Sequence, residues 1–509
     1  MTRVIVIGAG IGGLTTAALL ARDGYDVTVL EGQTYPGGSA STYFHKGYRF
    51  DSGATVAGGF QPNGPHYLVG KALDLKWNVH TYDPAWVVHM PGREIALTTD
   101  NENVLENFPQ TRAFWDEQSK IADLGWSLSA QGLPWPPTSI AEAMQIAKVG
   151  ITNLPDDLRI IPFAFMSAHQ WMQLRGVADD PEFVRFIDGQ LLISAQTTSR
   201  GAYALYSATA LDLARQGVYH AEGGIGGIAE QLVDRIKSYG GEVIYRQRVT
   251  RIGVENDTAT GVYAKKGRRS RKEEFFPADI VIANTTPWSL EKLLADNAPH
   301  ALTQEVSRRN ATQGAFVVHL GLKEDFLPDD FADHHQFLMD IDGSLGEGRS
   351  LFMSVSPSWD QSRAPEGERA VTITTHTKVE PWWDLLNGDE DEYYRRKEAY
   401  ANTFIANINR YLPGFKDAVT LVLPGSPVTY EFYTGRYMGM VGGFPQKSLF
   451  GARGPRTSID NLRLVGDSIF PGQSTAGVSL GAIRVADDVR RNVPVGKRTP
   501  ARELTGATS

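Results

Sequence analysis

The sequence predicts an α/β protein in which a parallel-sheet domain is interrupted by a second, α+β domain. Three observations lead there. The chain opens on the β-branched run Val4 to Ile7, followed at once by Gly8, Gly10 and Gly13 and an alanine-rich helical stretch. A second apolar run, "LRLVGD" at 462 to 467, meets a Gly-Asp pair near the far end. Between them, long stretches mix helical spacing with strand-like alternation. At 509 residues, 42% hydrophobic and 21% charged, the chain is too long for one core and has a globular composition.

Composition narrows the chemistry. A formal charge of -8 gives no general attraction to phosphate backbones, so nucleic acid is not an expected partner. With no cysteine, disulfides, thiolate zinc sites and thiol nucleophiles are excluded. The first strand begins at Arg3 or Val4, and no run approaches the 18 or so apolar residues of a membrane span, so the expectation is a cytoplasmic protein that meets a membrane only from its surface.

The first element, Val4 to Ile7, reads as a buried strand, and Leu14, Ala17, Ala18 and Ala21 share one face of the helix after it. Gly8 makes the tight turn, Gly10 lets a pyrophosphate approach the backbone, and Gly13 lets helix and strand pack closely, with the phosphates at the helix's positive end. A second strand ends at Glu31, where an acid accepts hydrogen bonds from an adenosine ribose. NAD and FAD share this fingerprint. A nicotinamide domain would continue with another βα repeat, whereas here "GQTYPGGSASTYFHKGYRFDSGATV" brings two further glycine clusters, around Gly37-Gly38 and Gly53. That suits the longer FAD.

"YPGGSASTYFHKGYRFDSGATVAGG" together with "VGDSIFPGQSTAGVSLG" resembles the phytoene desaturase superfamily of FAD-dependent carotenoid oxidoreductases, most of all its branch of end-group (3,4-) desaturases and carotenoid cis–trans isomerases. "DPAWVVHMPG", "EGGIGGIAEQLVDRIKSYGGEVIYRQRVTRI" and "GRYMGMVGGFPQ" extend the resemblance over most of the chain. It implies a Rossmann-type, glutathione reductase-like FAD-binding domain made of residues 1–71, 216–289 and 456–492, a substrate domain of 72–215 and 290–455, and a flexible tail over 493–509. It also extends the cofactor contacts to Gly12, Gly32, Ser39, Ala54 and Thr55, and gives the backbone of Val249 to the adenine edge. Asp467, after Gly466, would accept a hydrogen bond from the ribityl chain, and the amides of Gly477 and Val478 would face the flavin's pyrimidine edge. The chain departs from the family pattern near Ser474, where relatives usually carry a further glycine.

The remaining elements follow in order. Phe163, Phe165, Met166, Trp171 and Met172 form a dense apolar cluster, read as core, as the lining of a substrate tunnel or as a surface that dips into lipid. Asp188, inside the apolar stretch "FVRFIDGQLL", is a candidate base or a paired structural acid. Ile228 to Tyr239 reads as a helix closed by Gly-Gly, followed by strands around Val243 and Val249. The basic run Lys265 to Lys272 reads as a solvated hairpin tip, and Ile280 to Ala283 as a buried strand. The pair His334-His335 reads as surface rather than as metal ligands.

The resemblance implies hydride transfer from an allylic carbon of an acyclic carotenoid to FAD, drawn from a membrane surface, with oxygen or a quinone as acceptor. Few catalytic side chains are demanded, because the cofactor carries the hard step. The alternatives are a cis–trans isomerase using reduced FAD, a non-catalytic isoprenoid escort, and a flavin amine oxidase.

Overall fold

The computed structural model describes residues 1–152, 156–309 and 313–495. The tail expected from 493 therefore lies, beyond 495, outside the described residues.

A five-stranded parallel sheet organises one half of the molecule, in the order Leu462–Val465, Ile280–Asn284, Arg3–Ile7, Asp26–Leu30, Glu242–Ile244. Parallel sheets are covered on both faces, which explains why these strands read as unbroken β-branched runs. Val4, Val6, Ile280, Val281, Ile282, Leu462 and Leu464 are all buried. The helix Ile11–Arg22 is buried from Ile11 through Ala21, more completely than its one alanine face predicts, because the helices Gly226–Ser238 and Thr475–Asn492 both pack against it. Beside this sheet lies a three-stranded antiparallel ribbon, Gln247–Glu255, Thr258–Lys266 and Glu273–Pro277, whose tip carries the basic run.

The second half is floored by a seven-stranded sheet in the order Val419–Gly425, Gln313–Lys323, Glu368–Lys378, Ser350–Val355, His334–Leu338, Trp86–Met90, Arg93–Leu97. The parallel pairing of His334–Leu338 with Trp86–Met90 knits the two inserted segments together. Helices between residues 102 and 210 roof one side around Phe114, Trp171, Phe183 and Phe186. Among the described residues, no helix is long and apolar enough to cross a membrane.

His334 and His335 are buried, 1% and 4% exposed, which corrects the surface reading. Adjacent strand residues point to opposite faces, and here both faces are covered: His334 meets Tyr82, His220 and Phe352, and His335 meets His89, Phe331 and Phe337.

Candidate functional site

The two distant loops meet because their strands are neighbours. Ile280–Asn284 lies between Arg3–Ile7 and Leu462–Val465, all parallel, so Gly8, Asn284 and Gly466 leave the sheet at one edge. Gly8 takes φ +91°, a left-handed conformation open to glycine, and turns the chain into the helix Ile11–Arg22. Gly10 at the helix start has no side chain to cap it, so the first N–H groups are free for an anion. A Cβ on Gly13 would sit 2.5 Å from the Gly8 carbonyl, which fixes how closely helix and turn pack. Gly37 N–H donates to Ala9 O at 2.7 Å, and this lays the second glycine cluster against the first.

Glu31 accepts the N–H of Ala9 on Oε2 and that of Gln33 on Oε1, both at 2.7 Å. Burial raises its pKa, opposed by these backbone donors. Each oxygen keeps a second lone pair for a ribose hydroxyl.

Asp467 Oδ2 lies 2.9 Å from Arg436 Nη2, and Arg436 also donates to the carbonyls of Met440 and Gly442 at 2.6 and 2.7 Å. The carboxylate is thus anchored while staying at the cavity wall. Ser474 caps the helix Thr475–Asn492, its Oγ accepting the Gly477 N–H at 3.0 Å. The Val478 N–H donates to Ser474 O at 2.9 Å. Both amides expected to face the flavin are therefore engaged within the first turn, and the N–H groups of Thr475 and Ala476, at the first two helical positions, have no intrahelical acceptor instead.

These pieces wall one continuous cavity of about 1970 Å³, roughly twice the upper end for ordinary small-molecule sites. Gly8, Gly10, Gly12, Glu31, Gly37, Gly38, Ser39, Gly53, Ala54, Thr55, Gly466, Asp467, Gly477 and Val478 line it. Gly13, Gly32 and Val249 do not. Gly13 packs behind the turn, Gly32 faces Arg248, and Val249 pairs with Ala264 beside a bulge. Sequence reasoning missed Asn284, whose Nδ2 donates to Gly8 O at 3.4 Å, and Arg436. The polar end of the otherwise buried run "DIVIAN" was the available signal for Asn284. Arg436 lies in the stretch "GRYMGMVGGFPQ" that carries the family resemblance, but that resemblance gives it no role.

Away from the glycines the wall turns apolar, with Leu128, Ile146, Val149, Ile160 and Leu192 contributing. Ile161 lines the cavity as well and is 48% exposed. The expected aromatic cluster divides differently: Trp171 and Met172 are core, Phe165 is 71% exposed, and none of Phe163, Phe165, Met166, Trp171 or Met172 lines the cavity. Asp188 is likewise outside it. It accepts the Ser199 N–H at 2.7 Å and borders a separate shallow depression, a structural role rather than that of a base.

The histidines on the apolar wall are neutral. Burial lowers the pKa of His319 to about 3 and of His376 to about 4. They meet Thr372 Oγ1 and Gln196 Oε1, each at 3.2 Å. Among the described residues, no cluster of His, Asp or Glu is arranged to hold a metal ion.

A glycine cradle at a helix N-terminus, an acid for a ribose and a second carboxylate on a loop returning from the far end of the chain define a dinucleotide flavoprotein, and the donor set fits FAD. Comparison places it further. Residues 11–490 match the flavin-containing amine oxidoreductase family, to which the chain belongs. Within it the chain is a member of the phytoene desaturase superfamily, an FAD-dependent oxidoreductase. It is 31% identical to the chloroplastic prolycopene isomerase of Daucus carota, over 97% of this chain and 81% of that one. It is 25% identical to the neurosporene-forming phytoene desaturase of Cereibacter sphaeroides, over 99% and 97%. An oxidoreductase from Methanosarcina mazei has a similar fold, with a TM-score of 0.64 at 19% identity over 96% of this chain and 100% of that one.

Proposed function

We propose that the protein acts on the conjugated chain of a long acyclic isoprenoid of the carotenoid class, held in the apolar part of the cavity against bound FAD. The observation that carries this reading is continuity: the cradle at Gly8 to Gly12 and the apolar residues Ile146, Val149, Ile160 and Ile161 wall one space. A polyene has no ionisable handle, so its binding rests on contact area, at roughly 25 cal/mol per Å². Buried neutral histidines suit such a substrate.

Bound FAD supplies the redox chemistry at this site. The free N–H groups after Gly10 hold the pyrophosphate, Glu31 the adenosine ribose, and Asp467, fixed by Arg436, the ribityl chain. Imidazoles with pKa near 3 and 4 are weak bases, so His319 and His376 exclude water and orient neighbours rather than accept a proton. The greater identity to the carrot prolycopene isomerase than to the phytoene desaturase supports redox-neutral cis–trans isomerisation. Desaturation at an allylic carbon, with oxygen or a quinone as the final acceptor, is the second reading. The likeness to the phytoene desaturase supports it.

The substrate enters from a bilayer. Ile140, Met144, Phe165 and Phe450 are 81%, 63%, 71% and 59% exposed. The rings of Phe165 and Phe450 lie 5.3 Å apart, and those of Phe450 and the cavity-lining Trp135 5.8 Å. Exposed large apolar side chains grouped beside a cavity wall mark a membrane or partner surface.

Titrating the holoprotein with an acyclic carotene in liposomes tests the site, because Trp126 and Trp135 line the cavity and a polyene quenches tryptophan emission. Saturable quenching, weakened by Val149→Glu, supports it. Quenching indifferent to that substitution removes the polyene from this cavity.

A further inference from the structure

His66, in the helix Pro65–Leu73, is 0% exposed. Its ring stacks on Phe60 with centroids 4.5 Å apart and meets the edge of Trp77 at 5.5 Å. Both ring nitrogens face hydroxyls of the C-terminal helix: Nε2 is 3.1 Å from Thr475 Oγ1 and Nδ1 is 3.5 Å from Ser479 Oγ. A third bond sets the tautomer. Ser479 donates its one proton to Thr475 O at 2.9 Å, so Nδ1 carries the imidazole proton toward Ser479, and the Nε2 lone pair takes the proton of the Thr475 hydroxyl. Burial keeps the ring neutral, its pKa lowered to about 3.

Thr475 lines the cavity at the first position of its helix, where its N–H and that of Ala476 are free. The next turn of chain is pinned from the same side. Gly59 O accepts the His66 N–H at 2.9 Å, and a Cβ on Gly59 would stand 2.9 Å from that of Ala476. With its proton turned back to His66, the Thr475 oxygen keeps its lone pairs for the cavity, next to two backbone donors. A flavin pyrimidine ring carries the complementary edge, two carbonyl acceptors flanking an N–H donor.

We infer that His66 is a positioning residue for FAD, which acts through Thr475 to hold an acceptor between the free donors of the C-terminal helix. The inference deepens the FAD assignment and does not depend on which isoprenoid is bound. It is tested on the apoprotein of His66→Phe, which keeps the stack on Phe60, of Thr475→Val, of the double variant and of His66→Gln. FAD and ADP dissociation constants are measured for each. ADP fills only the cradle at Gly8 to Gly13 and reports whether that half is intact.

Each single variant is expected to weaken FAD about fivefold, the scale of one hydrogen bond, with ADP binding unchanged. The double variant should be no weaker than either single one, because both remove the same contact, and His66→Gln should recover part of the loss. Multiplying losses in the double variant, or wild-type FAD affinity in His66→Phe, would overturn the inference. An equal fall in ADP affinity would overturn it too, since it would mean a general structural role.

Discussion

Arg484 and Glu142 form an ion pair with 3.1 Å between Nη2 and Oε2, and their side chains are only 8% and 1% exposed. The pair joins the C-terminal helix, whose first turn lines the cavity, to the helix Ile140–Thr152, which carries the exposed Ile140 and Met144. Arg484 also donates to the carbonyls of Trp135 and Pro136, each at 2.6 Å, so one guanidinium ties down the segment that enters this helix.

Breaking this pair leaves a buried charge uncompensated. Glu142→Gln is expected to cost about 3 kcal/mol, read as a lower midpoint in urea. Burial works to raise the Glu142 carboxyl, but the Thr138 backbone N–H and Arg484 outweigh it and hold its pKa below the usual carboxylate range. Its contribution is present above the unfolded-state pKa and is lost as pH falls through the lower folded value. The variant should therefore lose part of the acid sensitivity as well.

Acid should destabilise the protein well before its carboxylates titrate. Burial lowers His66, His319 and His335 to about 3 and His89 and His376 to about 4. Unfolded, each takes up a proton near pH 6.5. Between pH 6.5 and 4 the unfolded state binds more protons, so stability rises with pH there and is full above it, by about 1.4 kcal/mol per pH unit for each group. Urea unfolding at pH 7.5 and 5.0 checks this. A stability unchanged between them contradicts neutral burial of these rings.

Gly13→Ala places a Cβ 2.5 Å from the Gly8 carbonyl, backbone that cannot step aside. The helix must shift off the turn, and FAD retention should fall about tenfold or more, equivalent to at least ~1.4 kcal/mol. The ratio of flavin to protein absorbance after gel filtration is the readout.

Phe165→Glu and Phe450→Glu put charge into the exposed patch without touching the cradle. Sedimentation with liposomes should fall for both and flavin content should not. Undiminished liposome binding would move the docking surface elsewhere.

Much of the fold was legible because its chemistry is local. The run Val4 to Ile7, the spacing of Gly8, Gly10 and Gly13, and the acid at the end of the second strand each carry their reason in adjacent residues. Asp467 was legible too, but its Arg436 partner was not, since that contact is made by a loop closing from another sheet. The aromatic cluster was legible in part: Trp171 and Met172 are core as their type suggests, whereas residue type does not separate them from the exposed Phe165. The lining instead uses Ile160, Ile161 and Ala164 from the same helix. His334 and His335 misled because acidic neighbours suggested a surface, whereas their strand is covered on both sides. Ser474, near the departure from the family pattern, supplies the helix cap, a detail that spacing alone does not reveal.

In the proposed reaction, bound FAD and a long polyene share one cavity in which the double-bond geometry is changed without net oxidation. Its most direct test is anaerobic incubation of the holoprotein in liposomes with a poly-cis acyclic carotene, once with oxidised and once with reduced flavin, following the flavin spectrum and the mass and isomer composition of the polyene. The account predicts all-trans product of unchanged mass, formed only with reduced flavin. Bleaching of oxidised flavin with a product two hydrogens lighter would contradict it and establish desaturation instead.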